Sequence, residues 1–126
     1  MIVGIGTDIV EVRRIQRSLN RFGERFADRI LCAGERRSLE GGRLAAYLAR
    51  QFSAKEAVSK ALGTGMKNGV HFRNIEIARR DSGAPLVRLT GEANLRAQAL
   101  GISDFHISMS DERDYAIAYV IATNGA

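Results

Sequence analysis

The sequence predicts an α+β fold, a mostly antiparallel sheet packed against helices, in a single domain over 1–126. Three observations carry that prediction. Residues 2–9, IVGIGTDI, are rich in β-branched side chains and read as a strand. Residues 43–62 place apolar side chains at helical spacing and stop at GTG, 63–65. Two further pairs of strand-like stretches are each joined by a short polar turn, DSGAP at 81–85 and DERD at 111–114. At 126 residues the chain is too short for two good cores, and no repeat, linker or low-complexity tract divides it.

The elements follow in order. After the first strand, residues 11–21 read as a helix through Val12, Ile15 and Leu19. A second helical stretch, 23–31, carries Phe26 and Ile30 and breaks near Gly34. The long helix over 43–62 has an apolar stripe of Leu44, Leu48, Phe52, Val58 and Leu62, followed by a glycine-punctuated loop, GMKNGVH, at 65–71. Strands are expected at 72–80 and 85–90, a short helix at 91–100 ending on Gly101, and strands at 104–110 and 115–123.

The net charge is +5, with 16 arginines and three lysines against 14 acids. Eight arginines fall in residues 11–37 against four acids there, so most of the excess sits in one stretch. Arg13, Arg17 and Arg21 are spaced by four, with Arg14 beside them, which makes a basic ridge along the first helix. Such a ridge suits an acidic or phosphate-bearing partner, although most charge runs are simply solvated faces. No stretch approaches the ~20 apolar residues of a membrane span, no secretory leader is evident, and the lone Cys32 fits a reducing, cytoplasmic setting.

Several side chains sit where a plain core would not put them. Asp8 interrupts an apolar strand whose isoleucines and valines at 2, 3, 5, 9 and 10 read as core, and alternation places it on the same face as Gly4 and Gly6, which leaves that face bare beside it. Asp8 could cap the next helix or meet a ligand. On the long helix, Lys55 falls inside the apolar stripe, while Glu56 lies at its margin four residues before Lys60. A solvated Glu56–Lys60 pair with Lys55 snorkelling is the plain reading, but the centre of a stripe is where snorkelling is hardest. Near the C-terminus, His106, Ser108 and Ser110 share one strand face, opposite Phe105, Ile107 and Met109. Only a pocket shared with Asp8 and Glu56 would lift His106 above a structural role. The strand from Tyr115 to Ala122 is apolar on both faces, which suggests contact with another subunit. P-loop, dinucleotide, zinc and nucleophile-elbow motifs are absent.

Together GIGTDIVEVRRI (4–15), FSAKEAVSKALGTGMKNGV (52–70) and HISMSDERDYAIAYVI (106–121) resemble the holo-[acyl-carrier-protein] synthases, the small phosphopantetheinyl transferases. The resemblance spans nearly the whole chain in order. It implies transfer of 4′-phosphopantetheine from coenzyme A to a serine of apo-acyl carrier protein, with loss of adenosine 3′,5′-bisphosphate, as a step of fatty acid biosynthesis. It further implies dependence on Mg2+ and a homotrimer with active sites between subunits.

On this resemblance Asp8 and Glu56 match the two magnesium-binding carboxylates. Glu56, Lys60 and His106 match catalytic positions, with Lys60 and His106 near the phosphates. The turn Ser82, Gly83, Ala84 and Pro85 matches the loop against the adenine, and Gly63 and Gly65 match a loop near the nucleotide. Arg13, Arg14, Arg17 and Arg21 match the helix that docks the acidic carrier protein. Which group takes the serine's proton stays open. The chain departs from the family at Asp111, where many members carry a second histidine in HxSxxH.

Two rival readings use the same residues. A small nucleic-acid-binding module fits the basic N-terminal third, but the chain lacks Trp and shows no aromatics interleaved with arginine for stacking. It also leaves the two carboxylates unexplained. A magnesium-dependent nucleotide hydrolase would use both carboxylates; strict need for a carrier acceptor separates it from a transferase. Neither nucleic acid nor membrane is expected as a partner.

Overall fold

The computed structural model describes residues 1–125. The elements run β1 (Ile2–Glu11), α1 (Val12–Phe22), α2 (Glu24–Ile30), α3 (Gly41–Ala61), β2 (Ile75–Arg79), β3 (Pro85–Leu89), α4 (Gly91–Ala99), β4 (Asp104–Asp111) and β5 (Tyr115–Thr123). Short 3-10 turns occupy Ala33–Glu35 and Phe72–Asn74. The second turn takes the start of the strand expected from residue 72, because Asn74 Oδ1 accepts from the His71 N–H at 2.9 Å and closes the backbone there.

Every strand pairing is antiparallel, but there are two sheets rather than one: β1-β5-β4, and the hairpin β2-β3. Helix α3 runs between them as the centre of the molecule. It is buried on more than the expected stripe, because its alanines and serines (Ala45, Ala49, Ser53, Ala54, Ala57, Ala61) are covered as fully as Leu48 and Val58. Among the described residues no helix is long and apolar enough to cross a membrane.

The packing of β1 reverses the expected sense of its two faces. Ile2, Ile5 and Ile9 point outward and are 57%, 51% and 61% exposed, while the glycine face lies against α3. The space cleared by Gly4 and Gly6 is filled by helix backbone: a Cβ on Gly6 would stand 1.8 Å from the Ala57 carbonyl oxygen, and one on Gly4 2.0 Å from that of Ala61. These glycines admit the helix rather than a ligand. Because facing residues of an antiparallel pair share a side, Gly6, Asp8 and Val10 lie on the inner face with Val120, Ala118 and Ala116.

The outer face carries Ile5, Thr7 and Ile9 opposite Ile121, Tyr119 and Ile117. It stays open, with Tyr115, Ile117 and Tyr119 all more than 40% exposed. The C-terminal strand is therefore apolar on both sides but covered on one.

Candidate active site

Asp8 comes to the contact between β1 and α3 one step beyond the two glycines. It caps no helix: the residue before α1 is Glu11, whose side chain makes no capping bond. Lys60 reaches across from α3 to donate to Asp8 Oδ1 at 3.1 Å and to the Thr7 carbonyl at 3.0 Å. The Asp8 side chain is only 15% exposed, and its second oxygen, Oδ2, is buried with no hydrogen-bond partner. A buried carboxylate oxygen with nothing donating to it is costly.

Glu56 projects from α3 beside it. Burial raises the Asp8 carboxyl above its ordinary range, against the hydrogen bond and charge of Lys60 and the charge of Arg14. Burial also raises Glu56, and the Asp8 charge raises it further, against Lys60 and Arg14. Two carboxylates thus repel each other here, with Lys60 and Arg14 as the cations that act on both. Burial and mutual repulsion outweigh both cations, and Oδ2 has no donor.

A divalent cation would give that oxygen a partner and offset the repulsion. Magnesium takes oxygen ligands and retains several waters, so two carboxylates suffice as its protein share. No group of three or more His, Cys, Asp and Glu that could hold a metal occurs among the described residues.

The other expected site residues lie elsewhere. His106 is on the outer face, in line with Ile121 and Ile5, and its Nε2 is 3.1 Å from Thr123 Oγ1. Within one chain the sheet separates it from Asp8, so the shared pocket does not form there. Ser82–Pro85 is the tip of the β2-β3 hairpin, closed by the Gly83 N–H on the Arg80 carbonyl and the Arg80 N–H on that of Ala84, both 2.8 Å, with Gly83 at φ +91°. Gly63 and Gly65 end α3, and their N–H groups donate to Lys60 and Ser59 carbonyls, which leaves neither free for a phosphate. Asp111, at the histidine's position, meets Arg50 at 3.4 Å.

Lys55 does not snorkel. It is fully buried, and its ammonium donates to Glu35 Oε1 at 2.6 Å and to the carbonyls of Ile30 and Phe72 at 2.5 and 3.1 Å. Glu35 passed unnoticed in the sequence because its partner lies twenty residues away.

The arginine ridge is exposed along α1, where Arg17 meets Glu11 at 3.4 Å and Arg14 lies 6.0 Å over the Phe52 ring. It continues onto α2. A cavity of about 330 Å³ lies between the two helices, lined by Ser18, Phe22, Arg25, Phe26 and Arg29. The i, i+4 spacing of Phe22 and Phe26 was its signal, hidden by the helix break at Gly23.

Two carboxylates and an ammonium converging beside a strand–helix contact suit metal-assisted chemistry on phosphate esters. The family model for the 4′-phosphopantetheinyl transferase superfamily matches residues 4–120, and the chain belongs to that superfamily. It is 55% identical to the holo-[acyl-carrier-protein] synthase of Halorhodospira halophila, over 99% of this chain and 100% of that one. The holo-[acyl-carrier-protein] synthase of Neisseria meningitidis superposes with a TM-score of 0.86 at 45% identity, covering 98% of this chain and 100% of the other. That of Bacillus anthracis, solved in complex with CoA, gives 0.82 at 37% identity and 99% of both chains.

Proposed function

We propose that this chain, in a cytoplasmic setting, transfers the 4′-phosphopantetheine of coenzyme A to a serine of an apo-acyl carrier protein. The observation that carries the reading is the Asp8–Glu56 pair with its undonated buried oxygen beside Lys60, in a chain of this superfamily. The serine oxygen bonds to the phosphorus that bears pantetheine, and its proton passes in the end to solvent. The bond from that phosphorus to the nucleotide-side phosphate oxygen breaks, and adenosine 3′,5′-bisphosphate leaves.

Asp8 and Glu56 are the residues that would hold Mg2+. When bound, the ion offsets negative charge on the pyrophosphate and the leaving group. Lys60, half exposed and already aimed at Asp8, presents its ammonium to the same phosphates. The hairpin tip at Ser82–Pro85 lies against the adenine in this reading.

His106 belongs to the site only if a second copy supplies it. The open sheet face of Ile5, Ile9, Ile117 and Tyr119 supports an interface with other copies of the chain, since contiguous exposed apolar area marks an interface; the resemblance makes that assembly a homotrimer with sites between subunits. The ridge of Arg13, Arg14, Arg17 and Arg21, extended by Arg25 and Arg29 around the Phe22–Phe26 cavity, suits an acidic carrier helix with one apolar side chain to bury.

Intact mass spectrometry of an apo-acyl carrier protein incubated with the chain, coenzyme A and magnesium tests the reading. One phosphopantetheine gained per carrier, absent with chelator, is the expected result. Release of the bisphosphate without any carrier present would instead mark a hydrolase.

A further inference from the structure

The Glu35–Lys55 pair is buried and bonded on every side. Glu35 is 1% exposed and accepts four donors: the Cys32 N–H at 2.7 Å, Lys55 Nζ at 2.6 Å, Gln51 Nε2 at 2.7 Å and the Ile77 N–H at 2.8 Å. With the two carbonyls that Lys55 holds, the cluster ties together the end of α2, both 3-10 turns, β2 and α3. Replacing a buried ion pair by apolar side chains is often neutral or stabilising, so such a pair better explains specificity of geometry than strength.

Lys55 immediately precedes Glu56, and successive side chains on a helix diverge by about 100°. Fixing the Lys55 ammonium on three acceptors therefore fixes the direction in which Glu56 leaves the helix. A rotation of α3 by about 20° moves a carboxylate about 6 Å from its axis by about 2 Å. On the opposite flank, the contacts of Gly4 and Gly6 with Ala61 and Ala57 set how closely α3 approaches β1. We propose that Glu35 and Lys55 are positioning residues for the transfer reaction, holding α3 at the rotation that sets Glu56 beside Asp8. This rests on Asp8 and Glu56 being the magnesium carboxylates.

The test is magnesium titration by calorimetry in the presence of coenzyme A, paired with steady-state transfer kinetics, well below each variant's melting temperature. Glu35→Gln keeps the size but removes the charge; it is expected to weaken magnesium binding by about 10- to 100-fold. Its kcat should fall while KM for coenzyme A changes little. Gln51→Leu removes one donor and leaves Glu35 three, so it folds and should weaken magnesium binding by a smaller factor. It decides the matter alone if Glu35→Gln does not fold. Ala97→Gly, a core change on α4, lowers the melting temperature and should leave magnesium affinity unchanged. Folded Glu35→Gln and Gln51→Leu proteins with wild-type magnesium affinity and kcat would overturn the proposal. A wild-type protein that binds no magnesium would overturn the underlying site assignment instead.

Discussion

Helix α3 carries two lysines five residues apart, and each meets a carboxylate, yet the two pairs have opposite characters. Lys55 and Glu35 are sealed from water, and every donor on the ammonium has an acceptor. Lys60 and Asp8 are half open, and Asp8 keeps one buried oxygen without a donor, next to a second carboxylate that repels it. The closed pair has no capacity left for a ligand. The open one keeps a buried carboxylate oxygen unpaired. A charge on an apolar face therefore does not mark a functional site; an unsatisfied one does.

The comparison is broken most forcefully by removing one member of the closed pair. Lys55→Met leaves a buried carboxylate unpaired and is expected to cost about 3–5 kcal/mol of stability, measured as a shift of the denaturant midpoint. A loss below about 1 kcal/mol would mean that the pair is not closed in solution.

The open pair should respond in the opposite sense. Asp8→Asn and Glu56→Gln are each expected to lower transfer by roughly 10²–10³-fold while raising the melting temperature of the metal-free protein. The sign follows from the carboxyls. Both are held above their ordinary range, so their ionised forms oppose folding, and that cost disappears as pH falls through their folded values. Acidification should accordingly close the stability gap between wild type and these variants, and it should weaken magnesium binding because protons compete for the same oxygens. A thermal-shift series from neutral pH downward checks both signs.

The smallest effect sharpens the comparison from outside the helix. Arg17→Ala together with Arg21→Ala should raise KM for the carrier protein by about tenfold at low salt, leave KM for coenzyme A unchanged, and lose most of its effect at about 0.5 M salt. Arg17 also neutralises Glu11, so its removal exposes an acid toward an acidic partner.

Much of this was legible in the residues themselves. The helix over 43–62, the two hairpins and the alternation of His106 against Phe105 appear in the structure within a few residues. Asp8 and Lys55 stood out because a charge in an apolar pattern demands an explanation. What the pattern misled on was direction. Ile5 and Ile9 read as core, yet they face outward, because an open apolar face and a covered one carry the same alternation of side chains. Gly4 and Gly6 read as room for a ligand, whereas the α3 backbone occupies that room. Glu35 gave no local signal at all: its four donors converge from segments far apart in the chain. His106 lies on the predicted strand face, but which side of the sheet faces Asp8 depends on where α3 packs, which no local spacing encodes.

The most direct measurement is magnesium titration, in the presence of coenzyme A, of the wild-type protein against Asp8→Asn and Glu56→Gln. The account predicts one magnesium per chain in the wild type and at least a tenfold weaker site in each variant, with both variants folded and, free of metal, melting no lower than wild type. Wild-type magnesium affinity in either folded variant would contradict the claim that these two carboxylates are the open half of the comparison.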